Sequence, residues 1–221
     1  MKKFLLFIFI GICTECLSQD TLSTWSFGLV GGLEQCGRKL NHTNDDQGVV
    51  NQWNALEKNV WRLSGGLRAE CKLSKHFSVL TGLTYVDRGY SIDTLQDAGL
   101  NGMQFHFRYI EVPMGLIYTG KTCGKNSLFA SAGLTFGYAL NNALYYRKNG
   151  QSALFEMQAI SKMSPLQANV SAALGIRRAI TTSANVDLYL SGNQALLALA
   201  EGPLERRFYS FGFFFAVTNH F

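Results

Sequence analysis

Six charged residues of this chain lie on one side of segments whose other side is apolar. Carboxylates among them could act in acid–base catalysis, and the set could also line a transport path. Buried charges in a narrow space, however, must find partners of opposite sign whatever the protein does. We therefore predict an ion-pair network, in which Glu111 is paired with Arg68 or with another arginine of the same face. The six residues are Arg62, Arg68, Glu70, Glu111, Arg177 and Asp187.

The clearest of these segments runs from Asn59 to Leu73 and alternates without a break. Arg62, Arg68 and Glu70 lie at its even positions, and mainly apolar residues lie at its odd positions. Because successive side chains of a strand point to opposite faces, the pattern predicts a strand with one charged and one apolar face. The segment exceeds the roughly five or six residues of an ordinary strand, and it is long enough for the roughly nine to eleven that cross a bilayer.

The same alternation recurs along the chain. It predicts eight strands, at about 24–35, 59–73, 77–90, 104–118, 127–140, 166–178, 184–192 and 208–221. Short turns are predicted near 74–76, 119–126 and 180–183, and long polar loops at 36–58, 91–103, 141–165 and 193–207. Pro113 interrupts the fourth strand and predicts a bulge or bend there. Short turns at one end and long loops outside the cell are typical of outer-membrane barrels. We predict an all-β fold, an eight-stranded antiparallel up-and-down transmembrane β-barrel.

The direction of the two faces separates a membrane barrel from a soluble one. The polar face consists mostly of Gly, Ser, Thr and Asn with a few opposite charges, which suits the narrow interior of an eight-stranded barrel. The apolar face carries aromatic residues near the strand ends, as an interfacial girdle requires. These aromatic residues are Trp25, Tyr85, Tyr118, Tyr138 and Phe221. A soluble, lipocalin-like barrel with an apolar interior is the alternative.

The N-terminus has the pattern of an export signal. A basic start precedes a short apolar run at 4–12, and small residues at Cys16 and Ser18 predict cleavage after Ser18. A lipoprotein is the rival interpretation, but the residues before Cys13 and Cys16 are not the small residues that a lipobox needs. The expected units are a cleaved signal peptide at 1–18 and an outer-membrane β-barrel domain at 19–221.

The net charge of +5 is a mild excess, and the basic residues are scattered along the chain. We therefore expect no nucleic-acid partner. Three cysteines remain after cleavage, which allows at most one internal bridge. If a bridge forms, we expect it between Cys71 and Cys123, at the short-turn end, with Cys36 on the extracellular side. No cysteine pair has CxxC spacing and the four histidines are isolated, so we expect no metal site and no cofactor.

Two parts of the long-loop end could carry a function. His42 and His106 are the histidines expected near this rim, but neither has the carboxylate-and-serine context of a lipid-modifying barrel enzyme. The predicted loops also carry aromatic and basic residues, which could bind a protein or glycan partner. They could equally pack on one another. The candidate binding residues are Trp53, Tyr145, Tyr146 and Arg147.

Two of the predicted strands resemble a known family. Residues 107–116, FRYIEVPMGL, resemble the Tyr-Leu-Glu-Ile-Pro-Leu signature of PorT-like outer-membrane β-barrel proteins of Bacteroidota-type bacteria. Residues 80–89, LTGLTYVDRG, are similar to the Gly-Leu-x-Tyr-x-x-Lys-Gly pattern of the same family, with Arg88 where Lys is frequent. A departure is Asn219, where the family more often has an aromatic or aliphatic residue. The resemblance implies an eight-stranded barrel in the outer membrane and says little about activity, although the named member assists a secretion system.

We expect a non-enzymatic outer-membrane protein with a structural or surface-interaction role, of which assistance to secretion or envelope assembly is one form. Its expected partners are outer-membrane lipid, the barrel-assembly machinery through the C-terminal strand ending in Phe221, and an unknown protein or glycan at the extracellular loops. Two alternatives stay open at this point. One is a membrane-embedded enzyme acting on lipid or peptide, and the other is a narrow channel.

Overall fold

The computed structural model describes residues 25–42, 47–95, 100–148, 151–156, 164–198 and 204–220. The predicted signal peptide at 1–18 and Phe221 lie outside the described residues, and so does the start of the predicted barrel domain. The elements are β1 (Trp25–His42), α1 (Gln47–Leu56), β2 (Glu57–Lys72), β3 (Phe77–Leu95), β4 (Leu100–Cys123), β5 (Asn126–Lys148), β6 (Gln151–Glu156), β7 (Leu166–Ala179), β8 (Ala184–Ala195) and β9 (Leu204–His220).

Eight of the strands form a closed antiparallel barrel, which confirms the predicted fold. Each barrel strand pairs with its neighbours in the order β1–β2–β3–β4–β5–β7–β8–β9, and β9 pairs with β1 to close the circuit. The short strand β6 pairs only with residues 143–148 of β5, beyond the part of β5 that pairs with β7.

The strands are staggered around the barrel. The paired residues can be followed around the barrel from one strand to the next. Starting at Trp25, the pairs lead through Cys71 and Val79 and return to β1 at Gln35, ten residues further along the strand. A stagger of this kind accompanies the strand tilt of about 35–45° that a closed barrel requires.

The outer face of the barrel is apolar and the inner face is polar. Leu63, Leu29 and Leu174 on the outside are 73%, 65% and 63% exposed, whereas Arg68 and Asp187 on the inside are buried. This arrangement contradicts the soluble alternative, in which apolar residues would fill the interior. Within the part of the chain that the structure describes, no helix is both long enough and apolar enough to cross a bilayer.

The strands extend further toward the long-loop end than the sequence predicts. The segments 36–58 and 91–103 were expected as loops, yet β1 continues to His42 and β3 and β4 form a hairpin around the four residues 96–99. An uncharged helix, α1, occupies part of the first expected loop. Above the bilayer both faces of the wall can meet water or other protein groups, so the polar–apolar alternation that identifies a membrane strand is lost there.

The bulge predicted at Pro113 is absent. The pairing between β3 and β4 has the same register on both sides of this residue, at Thr81–Met114 and at Thr84–Glu111, and Pro113 itself pairs with Thr135 of β5. The missing N–H interrupts the ladder without shifting its register, so the bulge half of the prediction was wrong.

The face assignment can be tested with two matched substitutions. Leu67→Arg, near the middle of the outer face of β2, should destabilise the barrel by about 2–4 kcal/mol, because the charge must enter the bilayer centre. Leu73→Arg, just beyond the end of the same strand, should cost only about 0–1 kcal/mol, because its depth is interfacial. Both leucines are outward and exposed, at 58% and 42%.

The measurement is the free energy of unfolding in urea of the two variants folded into lipid vesicles. Equal losses at the two positions would contradict the assignment of Leu67 to the lipid-facing belt.

Candidate functional site

Four of the six predicted charged residues form one network at the short-turn end of the barrel interior. Arg68 contacts Glu70 at 2.7 Å and Asp187 at 3.3 Å. Arg177 contacts the same two carboxylates, each at 2.7 Å. Each anion is therefore paired with both cations, and the set is neutral as a whole. We call Arg68, Glu70, Arg177 and Asp187 the charge quartet.

The charge quartet spans the place where the first and last strands meet. Arg68 and Glu70 belong to β2, and Arg177 and Asp187 belong to β7 and β8, with β1 and β9 between them in the sheet. Two contacts cross this seam, Arg68 to Asp187 and Arg177 to Glu70. The ring of Phe129 lies 6.0 Å from the Arg68 guanidinium carbon and 5.5 Å from that of Arg177.

A separate buried ion pair lies closer to the long-loop end. Both guanidinium nitrogens of Arg88 donate to the two carboxylate oxygens of Glu111. The amide of Asn169 donates to the same carboxylate at 3.2 Å from β7. A Cβ atom at Gly137 would lie 3.2 Å from the Glu111 side chain, so glycine at this position leaves the carboxylate its space.

The sequence placed Glu111 correctly on the inner face but did not select its partner. Glu111 pairs with Arg88 and not with Arg68. Arg88 and the buried Glu34 were left out of the predicted set although both lie on the polar face of their strands. The same alternation that identified Arg68 was therefore the signal that could have found them.

A cavity of about 110 Å³ lies between the charge quartet and the Arg88–Glu111 pair. Its lining includes Ser64, Ser131 and Ser171, with Arg68 and Glu111 also contributing. A space of this size has room for several water molecules. The middle of the lumen is therefore not filled completely by side chains, and its lining combines polar groups with apolar side chains such as Val86 and Phe129.

Above the Arg88–Glu111 pair the barrel interior becomes apolar. The ring of Phe107 lies 4.9 Å from that of Phe208 in a tilted arrangement, and Tyr90 stacks on Phe107 at 6.2 Å. Trp53 of α1 and Tyr146 of β5 pack against the same group from its edge. We call the buried set the upper aromatic cluster; its members are Val86, Tyr90, Ile92, Met103, Phe107, Tyr109, Ala195 and Phe208.

Arg62, the remaining predicted residue, takes part in a different arrangement. Its guanidinium lies 3.1 Å from Nε2 of His106, and Nδ1 of His106 lies 2.8 Å from the carboxylate of Asp87. Since arginine can only donate, Nε2 accepts and Nδ1 carries the proton that it donates to Asp87. His106 therefore has a carboxylate partner, which the sequence did not reveal. However, the position that a serine nucleophile would occupy in a hydrolase is filled by Arg62.

The predicted loop residues separate into two groups. Trp53 and Tyr146 pack toward the upper aromatic cluster, as the self-packing alternative supposed. Tyr145 is 37% exposed, lies edge-on to the His106 ring at 4.9 Å, and faces the guanidinium of Arg108 at 3.4 Å. The backbone of Arg147 lies in β5.

The cysteines differ from expectation at one position. Cys36 was expected in an extracellular loop, but β1 continues past it and the side chain is 0% exposed. Cys71 is also buried, whereas Cys123 is exposed in the last positions of β4. No disulfide joins these three residues, so the suggested Cys71–Cys123 bridge is not formed. Among the described side chains, no group of three or more His, Cys, Asp or Glu residues is arranged to hold a metal ion.

A closed eight-stranded barrel with an apolar outer belt and a polar, charge-paired interior is the architecture of a membrane-spanning β-barrel. The sequence pattern of the outer membrane protein beta-barrel domain matches residues 17–199. The chain belongs to this family, and its barrel is an outer-membrane barrel.

Solved structures with similar folds come from several bacteria. OprG from Pseudomonas aeruginosa is 12% identical, with 90% of this chain and 97% of that chain covered and a TM-score of 0.52. Neisserial surface protein A is 12% identical, with 88% and 97% covered and a TM-score of 0.48. The attachment invasion locus protein Ail of Yersinia pestis is 10% identical, with 86% and 97% covered and a TM-score of 0.37. At these identities the likeness concerns the fold alone. No curated protein matches the sequence.

The buried pair can be tested with a double-mutant cycle. Glu111→Gln and Arg88→Gln should each lower the free energy of unfolding by about 3–5 kcal/mol, because each leaves an uncompensated buried charge. The double variant should lose clearly less than the sum of the two losses, because no lone charge is left behind.

The measurement is urea unfolding in lipid vesicles followed by tryptophan fluorescence. Arg108→Gln, which removes an arginine from the outer surface, is the control and should change stability by less than about 1 kcal/mol. Additive losses for Glu111 and Arg88 would show that the two side chains are not coupled.

Proposed function

We propose that this protein is a non-enzymatic outer-membrane barrel that acts through its extracellular end, as a structural and surface-interaction protein. The observation that carries the proposal is the upper aromatic cluster. The cluster fills the barrel interior between the Arg88–Glu111 pair and the long-loop end with packed side chains, as in the core of a soluble domain.

The length of the strands supports this interpretation. β4 and β5 contain 24 and 23 residues, about twice the roughly nine to eleven needed to cross a bilayer. The additional length extends toward the long-loop end, where Phe107 and Phe208 close the interior. A rigid wall of this kind holds binding residues in fixed positions, which is the usual way in which a scaffold presents loops.

The outer surface of this wall offers a mixed aromatic and polar patch. Tyr145 is exposed, and Arg108 lies between it and Asn141, with distances of 3.4 and 3.5 Å to their oxygens. Tyrosine and arginine are enriched at protein interfaces. We propose that Tyr145 and Arg108 contact a protein or glycan partner at the cell surface.

The enzyme alternative has less support. In the His106 arrangement both ring nitrogens are engaged, one by Asp87 and the other by Arg62. An acid–base role needs one nitrogen within reach of a reacting group. The charge quartet and the Arg88–Glu111 pair of the lumen are likewise occupied by one another.

The channel alternative is favoured by the central cavity, and opposed by what lies on each side of it. The charge quartet crosses the lumen below the cavity, and the Arg88–Glu111 pair and the upper aromatic cluster lie above it. An ion would have to displace buried pairs and aromatic rings to pass.

The resemblance of strands β3 and β4 to PorT-like proteins supports a more specific form of the proposal, in which the partner belongs to a secretion or envelope-assembly system. Delivery of the barrel by the assembly machinery would depend on β9 and Phe221, and the cleaved export signal would lie at 1–18. Outer-membrane lipid surrounds the belt in this proposal.

Partner binding can be tested by crosslinking in native outer membranes followed by affinity purification. The parent protein should recover a specific partner, and Tyr145→Ala combined with Arg108→Gln should reduce its recovery at least roughly ten-fold, as expected for loss of interface anchors. Arg178→Gln, an exposed arginine at the opposite end, is the control and should leave recovery unchanged. Undiminished recovery with the double variant would exclude this patch as the binding surface.

Conductance separates the proposal from the channel alternative. Purified protein in planar bilayers should show little ion current, because the eight-stranded interior is obstructed at both ends. A porin reconstituted in the same membranes provides the positive control. Steady ion channels from the unmodified protein would overturn the proposal and favour a pore.

A further inference from the structure

Among the residues that the structure describes, the exposed charged side chains at the short-turn end of the barrel are all basic. Five basic side chains lie there, all exposed, and none forms an ion pair with another described residue. The acidic residues of this end, Glu70 and Asp187, are buried in the charge quartet and already neutralised by Arg68 and Arg177. We call the five residues the basic rim; they are Lys72, Lys75, Lys121, Lys125 and Arg178.

The long-loop end has a different balance. There, exposed Lys58 is paired with Asp93, and Arg38 is paired with Glu57. Described cations of that end thus have carboxylate partners, in the exposed Lys58–Asp93 pair and the buried Arg38–Glu57 pair, whereas the basic rim has no ion-pair partner among the described residues. Charges of one sign held close together repel one another unless anions are supplied from outside.

The basic rim lies at the edge of the apolar belt. Phe77 and Tyr118, both exposed, pack against each other with ring centroids 5.4 Å apart, and Leu128 is exposed beside the next turn. Lys75 precedes Phe77 by two residues, and Lys121 follows Tyr118 by three. Lysines at such an edge can lay their methylene stems along apolar surface and direct their ammonium groups to the headgroup region.

The turns that carry these lysines are held in place. The backbone N–H of Thr119 donates to the carbonyl of His76 at 2.7 Å, and the His76 ring contacts the carbonyl of Thr119 at 2.9 Å. The His76 ring also lies 6.0 Å from Tyr118. The turn between β2 and β3 is thereby fixed against β4, so Lys75 of this turn and Lys121 of β4 lie at the same end of the barrel.

We propose that the basic rim binds the phosphate groups of anionic phospholipids, of the phosphatidylglycerol class, in the leaflet that faces the short turns. The apolar belt ends where the rim begins, so headgroup phosphates lie at the depth of the ammonium groups. Each basic residue near an anionic membrane surface adds favourable electrostatic free energy. This inference goes beyond the proposed function, which concerns the opposite end of the barrel.

The experiment uses the purified full-length protein in micelles that contain equal amounts of phosphatidylglycerol and phosphatidylcholine, with retained lipids counted by native mass spectrometry. We expect phosphatidylglycerol to be retained over phosphatidylcholine by at least roughly five-fold. Lys121→Gln combined with Lys125→Gln should reduce this preference by at least half. Glutamine keeps the side chains long and polar at exposed positions, so folding should be preserved, which heat-modifiable mobility checks.

The matched control removes two exposed lysines from the other end, Lys39→Gln with Lys58→Gln, and should keep the preference. High salt should weaken the preference in the parent protein, because exposed charges are screened. Equal retention of the two lipids by the parent, or an equal loss in both double variants, would overturn the proposal. Rim-dependent binding of peptidoglycan fragments without any lipid preference would also overturn it and assign the rim to a cell-wall polymer.

Discussion

The constraint on which the structure depends is that no backbone N–H or C=O can be left unpaired within lipid. Pairing β9 with β1 satisfies it by removing both sheet edges. A barrel closed with eight strands has a narrow interior, so the charged groups inside it need partners of opposite charge there. The charge quartet and the Arg88–Glu111 pair are thus consequences of the closed wall as much as features of the sequence.

The interior changes its chemistry along the barrel axis. Within the belt, outward leucines face lipid and inward arginines and carboxylates pair with one another. Beyond it, the surrounding solvent is water, and the inside is filled by rings such as Tyr90 and Phe107. The same strands therefore face lipid in their membrane-spanning part and water beyond it. Among the described residues, these rings lie between the central cavity and the long-loop end.

The sequence predicted the fold well because lipid on one side enforces a strict alternation. It identified all eight barrel strands and the inward position of Arg68 and Glu111. It could not predict that Glu111 meets Arg88, because alternation assigns a face but not a partner on another strand. It misplaced Cys36 and shortened β1 because alternation fades above the bilayer, where His42 still belongs to the strand. The His106–Asp87 contact was missed for the same reason, since it joins two strands at a level where polar residues lie on both faces.

The position of the charge quartet has a consequence for how the barrel is assembled. Its two halves, Arg68 with Glu70 and Arg177 with Asp187, are each neutral, but the contacts from Arg68 to Asp187 and from Arg177 to Glu70 exist only when the first and last strands are joined. An intermediate in which β1 and β9 are not paired lacks both contacts. We therefore expect the charge quartet to stabilise the closed barrel relative to any state in which β1 and β9 are separated.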